Sequence, residues 1–413
     1  MIWKLAWRNL WRHRARTLIA LSAIFISYAL LLLFMGIQAD LEKSFEEAAV
    51  ETAGGNVFVH ADDYWATQDI ERYIEDAGPI VDAAEHIDGI RGWIPRLVIH
   101  GLLETADDSV PMRLSGVDPE RERLVRSPER DLVDGTFLDG HPRAPIVVGI
   151  GIAERLDVDV GDRIVMTAAD PDGEIERALF YVDGIFETGA DTVDDVVAWT
   201  TLEAAQRAVN MEGNLNEIAF AIDDDDRRHQ IASELQSELD DAALPLRARS
   251  WDQLLPDVVA IMEFRRTIAI LLFAAILLVV ALAIANTFMM AVMERIRELG
   301  LLAAMGLTPG QLSRMLLFES LILAALGLVV GFLLGLGGHL WLVNTGIDVT
   351  EIMGGDIDIG GVSTIDLVVY SHIIPSWWIG ATVFVFAIVL LSSIYPAFRA
   401  SRLAPADAMR MSE

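Results

Sequence analysis

Residue types able to do covalent or metal chemistry are scarce or badly spaced in this 413-residue chain. There is no cysteine, which excludes a disulfide, a thiolate metal site and a cysteine nucleophile. The only lysines are Lys4 and Lys43. Neither follows a glycine, so no Gly-Lys-Ser/Thr phosphate loop can form and the chain cannot itself be a P-loop ATPase. His60, His86, His100, His141 and His229 are scattered without a His-x-x-x-His pair, and no Gly-x-Ser-x-Gly occurs. The run Asp223–Asp226 follows an expected strand, where a calcium site and a solvated turn are both open readings. No catalytic, cofactor-binding or metal-ligating residue is assigned. One charged segment does have a pattern: MERIRELGLLAAMGLTPGQLSRMLLFES, Met293–Ser320. Glu294 and Glu298 lie one helical turn apart, as do Glu294 and Arg297. Leu299, Leu302 and Ala303 form an apolar side, and Met305 and Gly306 end the helix. Thr308-Pro309 starts the next one, with threonine as N-cap and proline at the first helical position. Such a segment can make charge-assisted bonds to a protein partner, or it can simply connect two helices.

The elements that hold this segment follow from composition. Apolar residues make up 53% of the chain and the mean hydropathy is +0.40, yet the formal net charge is -30. Residues 39–264 carry 51 acidic and 18 basic residues, so the rest of the chain is slightly positive. The acidic block would repel phosphate, which excludes nucleic acid as its partner. Its acidity suits either solubility in a salty medium or docking of a basic partner. Uncharged runs at Leu18–Ile37, Thr267–Met293, Ser320–Val343 and Ser376–Phe398 are each long enough to cross a bilayer. The first exceeds a signal-peptide core and no Ala-x-Ala site follows, so an uncleaved anchor is expected.

Lys4, Arg8, Arg12, Arg14 and Arg16 precede the first span without an acid, which places that end in the cytoplasm. Four spans return the other end inside, where Arg399, Arg402 and Arg410 agree. Loop 344–375 has acids but no Lys or Arg and faces out, as does the long loop 39–266. Arg265 and Arg266 run against the rule at the edge of that loop. Trp3, Trp7 and Trp11 recur every four residues and build an amphipathic helix in the inner interface. Trp341, Trp377 and Trp378 mark the outer interface.

The expected fold class is an α-helical membrane protein with four transmembrane helices and a large α+β domain inserted between the first two. Within that domain Asn56–His60, Leu97–Leu103, Ile146–Val148, Arg163–Thr167, Ala178–Phe186, Val196–Thr200 and Glu217–Ile222 read as strands. Thr201–Asn210 and Asp226–Ala243 read as helices. Asp170–Gly173 is the turn of a hairpin. In span three Gly327, Gly331 and Gly335 line one face and permit close helix packing. The expected partner is span two or span four, or else a second subunit. Glu319 in the same span is expected to snorkel or to pair with Arg314 or Arg399.

Two cytoplasmic motifs carry a resemblance. Glu294, Arg295, Arg297, Glu298, Leu299, Gly300, Leu301, Leu302, Ala304 and Gly306 match the pattern E-R-x-R-E-[LI]-G-[LI]-L-x-A-x-G. Tyr395, Pro396, Ala397, Arg399, Ala400, Ser401, Arg402, Leu403 and Pro405 match Y-P-A-x-R-A-[AS]-R-L-x-P. Together with the opening Lys4–Leu18, the chain resembles the FtsX/MacB/LolC-type ABC transporter permeases, the mechanotransmission family, over its whole length. A free permease of this size, with so large an outer domain, is most similar to the LolC/LolE lipoprotein-releasing type.

The resemblance implies a partner ATPase subunit dimer that binds ATP and Mg, with no cofactor in this chain. It implies a second permease subunit, identical or a paralogue, in the bacterial inner membrane, and contact with membrane lipid and with a lipoprotein or periplasmic partner. The first two spans would extend as a stalk for a periplasmic domain with porter-like and sabre-like lobes. Glu294, Arg295, Arg297, Glu298, Leu301, Leu302, Ala304, Met305 and Gly306 would form the ATPase-coupling helix. If the substrate is a lipoprotein, Phe34, Met35, Ile261, Met262 and Phe264 would face its acyl chains. The domains expected are an interfacial helix 1–16, spans at 17–38, 265–293, 315–343 and 376–398, the periplasmic domain 39–264, the coupling segment 294–314, an outer loop 344–375 and a cytoplasmic tail 399–413. Efflux of the MacB type, signalling of the FtsX type, and a membrane scaffold or sensor without ATP are the alternatives.

Overall fold

The computed structural model describes residues 14–139, 144–189, 191–294, 301–302, 304–348, 357–359, 362–364 and 368–401. The helices, in chain order, are α1 (Arg14–Ala53), α2 (Gly78–Glu85), α3 (Ile150–Leu156), α4 (Leu202–Ala208), α5 (Arg228–Asp241), α6 (Pro256–Glu294), α7 (Pro309–Thr345) and α8 (Pro375–Ser401). The main strands are β1 (Val57–Ala61), β2 (Ile90–Glu104), β3 (Ser109–Val117), β4 (Leu132–Gly135), β5 (Pro145–Gly149), β6 (Arg163–Ala169), β7 (Ile175–Phe186), β8 (Val197–Thr201), β9 (Glu217–Ile222) and β10 (Leu246–Ser250). The chain divides into a helical unit, residues 1–43, 264–349 and 368–413, and an α+β unit, residues 44–263 and 350–367.

In the helical unit α1, α6, α7 and α8 are each long and apolar enough to cross a membrane. At 1.5 Å per residue the 40 residues of α1 span about 60 Å, roughly twice the hydrocarbon core of a bilayer. Ile24, Tyr28, Leu32, Leu323, Ala324, Val385 and Val389 are buried together at the centre of the bundle.

The glycine stripe of α7 packs on α1, not on α6 or α8 as expected. A Cβ at Gly331 would lie 2.8 Å from the Phe25 carbonyl oxygen and 2.9 Å from the Tyr28 ring. One at Gly335 would lie 3.0 Å from Leu32, and one at Gly327 would meet Ile24. Glycine spacing identifies a face of a helix; it does not identify the neighbour. Glu319 does not snorkel; it is buried in α7 at 6% exposure. Trp378, near the start of α8, does not stand on the bundle surface. It is buried, edge-on to Phe332 and His339.

The segment before α8 is fastened to α1 by polar groups. The His372 amide donates to the Gly36 carbonyl at 2.9 Å, and the Tyr370 amide donates to Asp40 at 2.8 Å.

The α+β unit is built on one ten-stranded sheet of order β10-β1-β9-β2-β3-β8-β5-β7-β4, with β6 pairing β2 and β7. Among the apolar clusters on this single sheet, two are large. One gathers Val57, Ile80, Phe220, Ile231 and Leu235 between β1, β9, α2 and α5. The other gathers Leu103, Ile146, Ile152, Met166 and Phe180 between β2, β5, β6, β7 and α3.

The expected hairpin is present. β6 and β7 pair from Arg163↔Tyr181 to Ala169↔Ile175, and the Gly173 amide donates to the Asp170 carbonyl at 3.0 Å. The short β4 lies outside the expected strands, and so do β3 and β10, because Pro111 and Arg113 break the apolar signal in one and Arg247 and Arg249 alternate through the other. The last two gain their place from pairing, β3 along β2 and β10 along β1.

Candidate functional site

Three helices of the helical unit line a half-open cavity of about 550 Å³. α1 contributes Phe34, Met35, Gln38 and Glu42; α6 contributes Arg265, Arg266, Ala269, Phe273 and Leu277; α8 contributes Ser376, Trp377, Ala381 and Phe384. The spacing explains the convergence. On α6, Arg265, Ala269, Phe273 and Leu277 recur every four residues, so they line one face. Phe34 and Phe273 stack with ring centroids 6.5 Å apart and planes 17° from parallel. The polar groups are segregated at one end. Gln38, Glu42, Arg265, Arg266 and Ser376 lie toward the ends of their helices that adjoin the α+β unit in sequence or lead into α8. Phe34, Phe273, Leu277 and Phe384 form the opposite, apolar end. Arg266 lies 3.9 Å from Glu42, both partly exposed, so that pair contributes little to stability. A largely apolar cavity with charge at one end can hold an amphiphile.

Of the expected substrate-facing residues, Phe34 and Met35 line this cavity. Ile261, Met262 and Phe264 do not. Met262 packs in the α+β unit against the cluster containing Phe58, Ile94 and Trp251, and Ile261 is half-buried. Phe264 is 68% exposed. The cavity-facing register of α6 begins one residue later, at Arg265, whose charge takes it out of any apolar pattern.

The second candidate element is the coupling segment. Glu294 is the last residue of α6, while Arg295, Arg297 and Glu298 lie outside the described residues, as do Leu299 and Ala303. Leu301 and Met305 are 59% and 64% exposed and stand one turn apart. Ala304 is exposed and Leu302 is half-buried. The turn ends at Gly306, whose φ of +102° a side chain would resist. The Leu307 amide donates back to the Leu302 carbonyl at 3.2 Å, the long bond of a Schellman stop. Thr308 and Gln311 form a reciprocal capping box at the start of α7, with Pro309 in its first turn. A rigid stop and a rigid start therefore frame an exposed apolar tip.

The acidic run has a structural use. Asp225 accepts from Asn56 at 2.8 Å and from the Trp251 indole at 3.2 Å, and pairs with Arg228 at 3.0 Å. Its lone pairs are committed to pinning β1 against the segment that leads into α6. No group of His, Asp or Glu side chains among the described residues has the geometry to hold a metal ion.

Two family models match successive parts of the chain. Residues 17–238 match the model of the MacB-like periplasmic core domain, and residues 270–405 match the FtsX-like permease C-terminal model. The lipoprotein-releasing system transmembrane protein LolC of Neisseria meningitidis serogroup B is 23% identical over 351 residues, 79% of each chain. The macrolide export ATP-binding/permease protein MacB of Nitrobacter winogradskyi is 26% identical over 350 residues, covering 78% of this chain and 49% of that protein. Among solved structures, the periplasmic region of MacB from Actinobacillus actinomycetemcomitans aligns with 49% of this chain and 92% of its own, at 11% identity and a TM-score of 0.34. With one family model covering more than half of the residues and a second covering the later membrane helices, the chain belongs to the FtsX-like ABC transporter permeases that carry a MacB-like periplasmic core domain.

Proposed function

We propose that this chain is the permease subunit that couples ATP hydrolysis in a separate ATPase subunit dimer to motion of its periplasmic α+β unit. The driven step extracts a lipoprotein or another amphiphile from the outer leaflet of the inner membrane. ATP and Mg belong to the ATPase, since this chain has no phosphate loop. A second permease subunit, the same chain or a paralogue, completes the complex, and both termini are cytoplasmic.

The observation that carries the substrate class is the cavity between α1, α6 and α8: an apolar interior ending in Arg265 and Arg266. An arginine pair on the outer side opposes the usual distribution of positive charge, and an anionic head group gives it a purpose. The similarity to LolC supports lipoprotein release. The similarity to MacB supports a second reading, efflux of a periplasmic substrate by the same mechanics.

Photocrosslinkers at positions 35 and 273 of the assembled complex test the proposal. They are expected to capture a lipid or lipoprotein. Arg265→Gln with Arg266→Gln should weaken capture of an anionic amphiphile by about 1 kcal/mol per arginine, roughly fivefold each. Crosslinks confined to other helices of the permease would contradict it.

A further inference from the structure

The α+β unit buries three charges where α1 ends, with a fourth, Arg126, half-buried beside them. Arg96 of β2 is 4% exposed and Glu122 and Glu217 are each 1% exposed. Every N–H of the Arg96 guanidinium is used. Its Nε and Nη2 donate to Glu122 at 3.2 and 2.8 Å, and Nη1 donates to Glu217 at 3.3 Å. The remaining bonds go to the end of α1: Nη2 to the Gly54 carbonyl at 2.5 Å and Nη1 to the Ala53 carbonyl at 3.4 Å. Arg126 repeats the device. It donates to the Glu51 carbonyl at 2.5 Å while its Nε lies 3.3 Å from Glu122. The last turn of a helix leaves carbonyls without partners and carries partial negative charge, so two cations suit it. Gly54, at φ +83°, belongs to the same fit, because a Cβ there would collide with the Arg96 guanidinium.

Stability alone does not account for this cluster. Desolvating two arginines and two glutamates costs several kcal/mol per ion, and well-packed apolar side chains often serve as well or better. What directional bonds add is position. The apolar contact of α1 with the sheet uses Ala49, Val50 and Ala53 against Phe58, Ile94 and Ala219, small and smooth surfaces that resist sliding or rotation weakly. Hydrogen bonds to three named carbonyls fix both the axial register and the rotation of the helix end. The other helix needs no such pin, because β10 runs through the capping box at Ser250 toward α6, and the Trp251 amide donates to Asn56 at 3.0 Å.

We propose that Arg96, with Glu122, Glu217 and Arg126, is the pin that makes α1 and the sheet move as one body, so that displacement of α1 reaches the α+β unit without slip. Arg96 is on this account a positioning residue for the transmission described under Proposed function, and the proposal rests on that reading.

The chain has no cysteine, so spin labels at Glu47→Cys on α1 and Ser109→Cys on β3, both exposed sites, report the joint directly. Distances are measured in the full permease–ATPase complex with ADP and with a non-hydrolysable ATP analogue. The parent should give one narrow distribution, unchanged between nucleotides. Arg96→Met should at least double its width, and Arg96→Lys, which keeps the charge but loses the fork, should give an intermediate width. Arg96→Met leaves two buried carboxylates short of a partner, so Arg96→Met/Glu122→Gln/Glu217→Gln, which lowers that charge imbalance, is measured beside it. A folded variant of either kind, judged by an unchanged far-ultraviolet spectrum and cooperative unfolding, that keeps the narrow distribution overturns the pin. An environment-sensitive probe at position 35 tests the underlying reading separately. If it reports no nucleotide-dependent change in the parent, coupled motion itself fails, whatever the width between positions 47 and 109.

Discussion

Gly331 of α7 has no room for a side chain, because the Phe25 carbonyl and the Tyr28 ring stand within 3 Å of where a Cβ would go. Backbone cannot retreat as a flexible side chain can. Gly331→Val should cost about 1–3 kcal/mol of stability in detergent, in the range of overpacked cores. Gly337→Val meets open space and should change stability by no more than about 0.5 kcal/mol. Equal thermal unfolding midpoints for the two variants would contradict this packing. His60 makes a second residue-level prediction. It is 1% exposed, and burial pushes its pKa below the ordinary value, with the Ala61 carbonyl and Glu217 opposing. The unfolded chain therefore takes up a proton first as pH falls. Stability from this group is complete above about pH 6.5 and declines as pH drops below it. His60→Gln should flatten the decline in denaturant midpoint between about pH 7 and pH 5, and an unchanged slope would count against the assignment. Neither residue's environment was legible in the sequence. Gly331 was visible as part of a stripe, but a stripe names a face, and Glu217, which pairs with His60, comes from β9, over 150 positions away in the chain.

At the scale of elements, legibility followed periodicity. The four apolar runs appear as helices, and the hairpin at Asp170–Gly173 forms where its turn residues placed it. β3, whose apolar pattern Pro111 and Arg113 interrupt, and β10, with Arg247 and Arg249 on alternate positions, carry too little apolar signal to be read as strands. The same bias toward apolar residues chose Ile261, Met262 and Phe264 for the cavity and passed over Arg265 and Arg266. The coupling segment was framed correctly by Gly306, Thr308 and Pro309, since caps are local and need no tertiary information. Its proposed role makes an element-level prediction. Glu298→Lys reverses a charge expected at the ATPase interface, and Ala304→Trp overfills an exposed position beside Leu301. A like-charge contact at an interface can cost several kcal/mol. Both variants should insert and fold normally yet lose ATPase binding or ATPase-dependent transport. If both co-purify with the ATPase and transport at parental rates, the segment is only a connector between α6 and α7.

For the whole molecule, the sequence separated an acidic block from apolar helices but could not show which helices meet, since that depends on contacts between residues hundreds of positions apart. The cavity needs α1, α6 and α8 at once. Orientation across the membrane is open to a direct check. A single cysteine at position 160 should react with an impermeant reagent added outside, and one at position 303 should not; the reverse pattern would invert the proposed topology. The central claim joins the cavity, the coupling segment and ATP in one machine. It is tested most directly by a photocrosslinker at position 35 in the reconstituted permease–ATPase complex, with a labelled anionic lipopeptide as probe. Capture should be high without nucleotide and should fall when ATP and Mg are added. In Ala304→Trp capture without nucleotide should persist while the fall on adding ATP is lost. Capture that ignores ATP in the parent complex, or that falls equally in Ala304→Trp, would contradict the account.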